Sequence, residues 1–348
     1  MARAARCAPV SSRTTTSAGQ RPARRELPAA RVLLVLGLLA VALAVTSVLG
    51  GSYRASPDAV LRSLLGEGTP ADDVVVLGLR LPRLAAALLV GGALATAGAV
   101  FQTLTRNPLG SPDVIGFTTG SATGALAVVV VGVGAVSPAV GAWLGGAAAA
   151  GVVLLLTRGA GTGSDRTVLV GIALGAALAS VNDYLITRAP LEVAQVARTW
   201  LFGSLAVTRW PDVAVLAATV AALLPVVLLH RRALGVLDLG DDVAAALGVP
   251  LARTRVVLVL VAVGLTGAAT AAAGPIGFVA LAAPQLARQV LRSPHVPLVT
   301  TAATGAVLLL AADLVAQRLL APLQLPVGLV TGAIGGAYLL WLVVRAPR

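Results

Sequence analysis

Long runs of apolar residues, each free of charge, constrain this chain more than any other feature of its sequence. The run 84–105 is uncharged throughout, and it contains the small residues Gly91, Gly92, Ala95 and Gly98. A helix that rises about 1.5 Å per residue needs about 20 apolar residues to cross the roughly 30 Å hydrocarbon core of a bilayer. Small side chains let helices approach closely in lipid. The run therefore predicts a membrane-spanning helix that packs tightly against its neighbours.

The composition extends this prediction to the whole chain. Of the 348 residues, 57% are hydrophobic and only 11% are charged, whereas about 25% of the residues of a soluble domain are charged. We expect an all-α polytopic membrane protein with about ten transmembrane helices. The predicted spans are 32–49, 81–105, 114–133, 139–157, 168–187, 213–230, 256–273, 276–290, 298–315 and 327–344.

The remaining segments set the domain organisation. Residues 1–30 hold six arginines among Ser, Thr and Pro and are predicted to form a disordered cytoplasmic tail, while residues 31–345 form a single transmembrane domain. The first apolar run is too long for a cleaved signal peptide and predicts a retained span. The segment 188–210 is only moderately apolar and predicts a surface or re-entrant helix. The distribution of arginines among the loops places both termini in the cytoplasm.

The residue types needed for catalysis are scarce. The formal charge of +12 comes from arginine alone because the chain has no lysine, so that neither a P-loop nor a Schiff base can form. His230 and His295 are isolated, and Cys7 is the single cysteine, which excludes the common metal and disulfide patterns. We predict that the chain is not an enzyme and binds no cofactor. Its positive charge is typical of loops facing anionic lipid and does not indicate nucleic-acid binding.

Two acidic residues lie within apolar runs, where an ionisable side chain usually has a function. Asp313 and Asp183 could couple transport to an ion gradient, which would make the protein a secondary carrier. Both lie near a predicted span end, and Arg318 and Arg188 follow within about one helical turn. We expect the acids to form structural pairs with these arginines.

The loop 231–255 differs from the spans around it. Asp241 and Asp242 suit the N-terminus of a short helix, because acidic side chains there cap free N–H groups and complement the helix dipole. Gly248 suits the end of that helix. The helix is predicted to lie outside the membrane. It is either an ordinary connector or a rigid element that docks into a soluble partner.

Six sequence blocks follow one another along the chain: RLPR, GAVFQTLTRNPLGSPDVIGF, LGDDVAAALGV, AGPIGFVALAAPQLAR, LLLAADLVAQR and LPVGLVTGAIGG. In this order they resemble the FecCD family of permease subunits from bacterial ABC importers for iron–siderophore complexes, haem and cobalamin. The resemblance covers about residues 32–344 and is strongest to the ferric enterobactin type of subunit. It implies the type II ABC importer permease fold, with ten helices per subunit, in the bacterial inner membrane.

The resemblance also implies partners and a function. We expect a second FecCD-type permease chain in a heterodimer, two cytoplasmic ATP-binding subunits that hold ATP and Mg, and an extracytoplasmic siderophore-binding protein. The implied function is the import of ferric siderophore complexes by alternating access, with haem or cobalamin as alternative cargoes. Because the sequence shows no cluster of polar residues suited to a ligand, specificity is expected to lie mostly in the binding protein.

Three groups of site residues are implied by the matched blocks. The residues implied to dock the binding protein are Arg80, Arg83 and Arg318, where Arg318 follows one position after Gln317, which replaces the family arginine. The residues implied to couple to the ATPase are Leu239, Gly240, Asp241, Asp242, Ala245, Leu247 and Gly248. The residues implied to form the inner gate are Asn107, Pro108, Leu109, Ser164 and Asp165. Gln285 replaces a family histidine and is expected to order the turn after the short eighth helix.

Overall fold

The computed structural model describes residues 28–51, 53, 55–131, 137–157, 165–293, 295–321 and 323–345. Within these ranges every regular element is a helix, apart from an isolated β-bridge between Leu320 and Leu323. The predicted tail 1–30 lies almost wholly outside the described residues. The helices are α1 (Ala29–Leu49), α2 (Pro57–Leu65), α3 (Pro70–Asp73), α4 (Leu81–Thr105), α5 (Phe117–Val131), α6 (Pro138–Leu156), α7 (Asp165–Arg188), α8 (Leu191–Leu201), α9 (Trp210–Leu229), α10 (Arg231–Leu237), α11 (Asp241–Ala246), α12 (Leu251–Ala273), α13 (Val279–Leu291), α14 (Leu298–Arg318) and α15 (Val327–Arg345).

Seven helices in the described part of the chain are long and apolar enough to cross a membrane. They are α1, the continuous helix Pro70–Thr105, α6, α7, α9, α12 and α14, and the continuous helix joins α3 to α4 through the π-helical turn Val74–Arg80. The apolar helices α5 and α15 are shorter, and α13 has 13 residues. Each of the ten predicted spans is therefore helical over most of its length. The segment 188–210 holds only the 11-residue helix α8, as expected for a segment that does not span.

Helix α4 is the centre of the bundle. It packs against α9, α12, α13 and α14, and every residue from Ala93 to Thr105 is buried. Its glycines lie where neighbouring backbones come closest: a Cβ atom at Gly98 would collide with the carbonyl group of Ala280, and one at Gly91 with that of Gly305. The prediction that small residues in this run permit close helix packing is confirmed.

Helix α4 also defines the two ends of the bundle. At the Arg80 end, α4 begins beside the last turns of α1 and α14, as the contacts of Arg80 and Arg83 show. At the Asn107 end, α4 contacts α10, which together with α11 connects α9 to α12. The candidate site residues fall into groups at these two ends.

Candidate functional site

The three arginines predicted to dock a binding protein lie together at the Arg80 end. Arg80 donates hydrogen bonds to the backbone carbonyls of Val48 and Tyr53, and Arg318 donates one of 2.6 Å to that of Thr46. Thr46 and Val48 lie in the last turn of α1, and Tyr53 follows shortly after the end of that helix. Positive charge there also complements the helix dipole. Both arginines therefore stabilise the end of α1.

Arg83 is held differently, in an ion pair that joins α4 to α14. Its Nη2 lies 2.8 Å from Oδ1 of Asp313, and its Nε lies 3.0 Å from Oδ2. Gln324 accepts a third hydrogen bond of 2.7 Å from Arg83, and Gln317 donates one of 2.7 Å to Asp313. The Asp313 side chain is 1% exposed and that of Arg83 is 12% exposed. The pair is thus buried, bidentate and supported by further hydrogen bonds.

This geometry corrects the pairing expected from sequence spacing. Asp313 pairs with Arg83, which is 230 positions away in the chain, and not with Arg318 on its own helix. Within the described residues Asp183 and Arg188 form no ion pair. The prediction of a structural role for Asp313 stands, with a different partner.

At the opposite end, α4 closes in a tight turn formed by predicted gate residues. Arg106 adopts the left-handed conformation with φ of 49° and ends the helix. The side-chain oxygen of Asn107 accepts a 2.9 Å hydrogen bond from the N–H group of Leu109, as in an Asx turn. Ser164 lies outside the described residues, and Asp165 is the first residue of α7. The inner gate therefore stays a prediction.

Two glutamines fix this turn to the bundle. Gln285 of α13 donates hydrogen bonds to the carbonyl of Pro108 (3.1 Å) and to the side-chain oxygen of Gln102 (3.0 Å). Gln102 is 2% exposed and donates a 3.0 Å hydrogen bond to the carbonyl of Leu281. Gln285 was expected to order the turn after α13. Its contacts instead hold the turn after α4.

We expect the Gln285→Leu variant to lose about 1–3 kcal/mol of stability, because it leaves the buried amide oxygen of Gln102 without its donor. Gln289→Leu is a matched control, since Gln289 lies one turn further along α13, is exposed, and bonds only to the hydroxyl of Tyr338 in the described chain. Thermal unfolding of the purified protein in detergent would measure both effects. Equal losses in the two variants would show that Gln285 has no special role at the turn.

The predicted coupling residues lie in and immediately around one short helix, α11, at the Asn107 end. Helix α11 begins at Asp241, with Gly240 at its N-cap in a backbone conformation of φ 113° that favours glycine. The acids therefore lie in the first turn and do not cap the helix. Asp241 accepts a hydrogen bond from the guanidinium of Arg255, which holds the pKa of Asp241 below its ordinary value. This ion pair stabilises the connector at neutral pH, and its contribution is lost only as the pH falls through that lowered pKa.

An apolar stripe covers the outer face of the connector. Leu239, Val243 and Leu247 follow one another at intervals of four residues, and they are 60%, 43% and 65% exposed. Val243 and Leu247, four residues apart at the C-terminal end of α11, lie on the same face of that helix, and Leu239 lies just before its N-cap. Ala244, in contrast, is fully buried against the bundle. The remaining predicted coupling residues Asp242, Ala245 and Gly248 are also exposed.

A polar cavity that the sequence analysis missed lies beside α5 and α7. The cavity has a volume of about 340 Å³, and its polar lining residues are Asp113, Thr118, Thr119, Asn182 and Asp183. Asp113, Thr118 and Thr119 are more than sixty positions from Asn182 and Asp183 in the chain, so that no local motif connects them. The adjacent polar residues Asn182 and Asp183, inside an apolar run, were the one signal in the sequence that could have indicated the cavity. The structure therefore forms a polar cluster where none was expected.

Known proteins match this sequence over nearly the whole chain. Residues 38–345 match the FecCD transport family. The ferric enterobactin transport system permease protein FepG of Escherichia coli (strain K12) is 42% identical over 322 residues, which cover 91% of this chain and 98% of FepG. The hemin transport system permease protein HmuU of Yersinia pestis is 34% identical over 320 residues, which cover 90% of this chain and 96% of HmuU.

A solved structure agrees with the fold. An inward-facing conformation of a metal-chelate type ABC transporter superimposes with a TM-score of 0.81 at 28% identity, covering 91% of this chain and 100% of that one. The apolar helices and the permease relatives together indicate a multi-pass protein of the inner membrane. The extent of the match, from the second half of α1 to the end of α15, includes every candidate site described above. The chain therefore belongs to the FecCD transport family.

Proposed function

We propose that this chain is the transmembrane permease subunit of an ATP-driven importer that moves ferric siderophore complexes across the bacterial inner membrane. The observation that carries this proposal is the 42% identity, over 98% of its length, to a ferric enterobactin permease. The exposed apolar stripe of Leu239, Val243 and Leu247 supports the same function, because it offers a soluble motor subunit an apolar surface to bind.

The membrane topology that fits this function has ten crossings, with α5, α13 and α15 completing the seven long spans. The N- and C-termini are cytoplasmic, and the Asn107 end of the bundle faces the cytoplasm. The support is a set of exposed arginines at that end, which follows the positive-inside rule. They are Arg106, Arg231, Arg232, Arg253 and Arg292.

The outer face, at the Arg80 end, receives an extracytoplasmic siderophore-binding protein. Arg80 and Arg318 would meet acidic residues of that protein, because complementary charges set docking register and encounter rate. Arg83 contributes less to docking, since Asp313 and Gln324 already satisfy its guanidinium. Its main effect is to hold α4 against α14 beneath the docking surface.

The inner face couples to two ATP-binding subunits, which bind ATP and Mg, so that this chain itself needs no cofactor. The stripe of Leu239, Val243 and Leu247 would insert into a groove of one ATPase. Gly240 is the link to the gate, because a Cβ atom there would lie 3.6 Å from the guanidinium of Arg106, beside the Asn107–Leu109 turn. Movement of the connector would therefore shift this turn, and a second FecCD-type permease chain would complete the pathway for alternating access.

Haem is the second candidate cargo, because the hemin permease HmuU covers nearly the same residues. Cobalamin transport and an ion-coupled carrier remain the weaker alternatives. Uptake in cells that lack this gene would separate them. Radioactive iron would be supplied as a ferric catecholate, a ferric hydroxamate or haem, with labelled cobalamin as a fourth cargo.

We expect loss of uptake for one siderophore class, restored by the wild-type gene. Loss of haem uptake alone would replace the proposed cargo by haem. Unchanged uptake of all four compounds would overturn the importer assignment.

The coupling role gives a separate prediction for Leu247. In the Leu247→Arg variant, the uptake rate and the ATP turnover stimulated by the loaded binding protein should each fall at least tenfold. The reason is that a charged side chain cannot enter an apolar groove without a partner. Leu247 is 65% exposed, so that folding of the permease is not affected. Leu247→Met is the control and should remain active. Normal stimulated turnover in the arginine variant would contradict the coupling role of this stripe.

A further inference from the structure

The polar cavity beside α5 and α7 presents mainly hydrogen-bond acceptors. Two carboxylates, those of Asp113 and Asp183, line it together with the amide group of Asn182 and the hydroxyls of Thr118 and Thr119. The other lining residues are apolar or glycine, and none is basic. The described lining therefore offers up to two negative charges and no basic side chain.

Two oxygen atoms in the cavity wall lack a partner. One carboxylate oxygen of Asp113 accepts a 2.6 Å hydrogen bond from Thr118, and the backbone N–H group of Phe278 is directed at the same carboxyl group. The second oxygen, Oδ2, is buried and has no hydrogen-bond partner in the described chain. Asn182 is only 5% exposed, and its side-chain oxygen is likewise unpaired. Buried polar atoms are nearly always paired with protein, water or a ligand.

The remaining acceptor side chain, that of Asp183, shows which way the cavity opens. Asp183 is exposed on a helix long and apolar enough to span the membrane. A charged side chain on such a helix faces water or another protein surface and avoids lipid, because its desolvation in hydrocarbon is costly. The cavity therefore adjoins an aqueous pathway or a partner chain.

We propose that this cavity binds a cationic group, held by the carboxylates of Asp113 and Asp183 and the amide oxygen of Asn182. Oxygen donors are the ligands that hard inorganic cations prefer, and an ammonium group donates three hydrogen bonds to the same acceptors. The group is either an inorganic cation or an ammonium group on the transported chelate. The second source rests on the proposed function and would make this cavity a specificity site within the permease.

The first test measures cation binding directly. The assembled transporter, purified in detergent, would be titrated with radioactive ²²Na⁺ in a scintillation proximity assay. We expect saturable binding that weakens at least tenfold in Asp113→Asn and in Asp183→Asn. Asp183 is exposed, so that its variant folds normally even where the Asp113 variant does not. Asp58→Asn, which alters an exposed ion pair with Arg62, should bind as the wild type does.

The second test measures the chelate. Uptake of a ferric trihydroxamate that carries a free amine would be compared with uptake of its N-acetylated form. We expect the wild type to prefer the amine, and the ratio of the two uptake rates to be lower in Asp183→Asn than in the wild type. Comparing this ratio between the wild type and Asp183→Asn cancels any preference of the binding protein, because the same binding protein serves both transporters.

The outcomes distinguish an inorganic cation from an ammonium group on the chelate. They also distinguish failure of the cavity assignment from failure of the proposed function. Sodium binding that the variants lose assigns the cavity to an inorganic cation, and a lost preference for the amine assigns it to the chelate. If the transporter shows no Na⁺ binding and the variants leave the uptake ratio unchanged, the cavity assignment is overturned. Site-dependent Na⁺ binding by a transporter that moves no chelate would instead overturn the proposed function and leave the cavity assignment standing.

Discussion

We expect the Asp313→Leu variant to lose about 3–5 kcal/mol of unfolding free energy, because it leaves the buried guanidinium of Arg83 without its counter-charge. The wild-type pair is bidentate, and its side chains are 12% and 1% exposed. Removal of the carboxylate also takes away the acceptor of Gln317. Denaturant unfolding of the purified protein in detergent would measure the loss.

Two further variants test the physical reason. The double variant Arg83→Leu/Asp313→Leu should recover most of the loss, because replacing a whole buried pair by apolar side chains is often neutral. Asp58→Leu is the exposed control: its ion pair with Arg62 has the same 2.8 Å separation, but the side chains are 61% and 65% exposed. We expect this control to change stability by less than about 1 kcal/mol. A double variant as unstable as Asp313→Leu would contradict the unpaired-charge explanation.

The double variant also separates packing from docking. It lacks Arg83 but retains Arg80 and Arg318, the two arginines that bond to the end of α1. If these two carry most of the docking, the folded double variant should bind the binding protein with nearly wild-type affinity. A large loss of affinity at wild-type stability would instead assign docking to Arg83.

Most of the fold could be predicted from hydropathy because a bilayer imposes a minimum length on each apolar helix. The predicted spans 298–315 and 256–273 agree with α14 and α12 to within a few residues. The prediction was less accurate where the chain enters a span through turns, as before α5. There the apolar residues from Val114 onward continue the pattern of the helix, which begins only at Phe117.

The contacts between spans could not be predicted, because hydropathy does not say which helices are neighbours. Asp313 was assigned to an arginine on its own helix, although the structure pairs it with Arg83 on α4. The same limit hid the cavity formed by Asp113 and Asn182. Local structure was predicted better: the short helix expected at Asp241 and Asp242 begins at Asp241.

The second large effect is expected at Gly98, where α4 and α13 are in backbone contact. A Cβ atom at this position would overlap the carbonyl oxygen of Ala280, and the carbonyl carbon would lie only 2.5 Å away. The obstacle is backbone, which cannot rotate aside as a side chain can, so that the two helices must separate. We expect Gly98→Ala to lose about 3 kcal/mol or more of unfolding free energy, at the upper end for overpacked sites.

Gly92→Ala is the matched control on the same helix. A Cβ atom at Gly92 would lie 3.6 Å from the carbonyl oxygen of Ala302, which is ordinary contact. Alanine is the better helix former by about 1 kcal/mol, so Gly92→Ala should be neutral or slightly stabilising. The two substitutions add the same methyl group to one helix, and only the neighbouring backbone distinguishes them. Denaturant unfolding that gave both variants the same sign would contradict the close approach of α4 and α13. Because Gln102 and the Asn107 turn follow Gly98 on α4, separation of the helices should also abolish transport in the Gly98 variant.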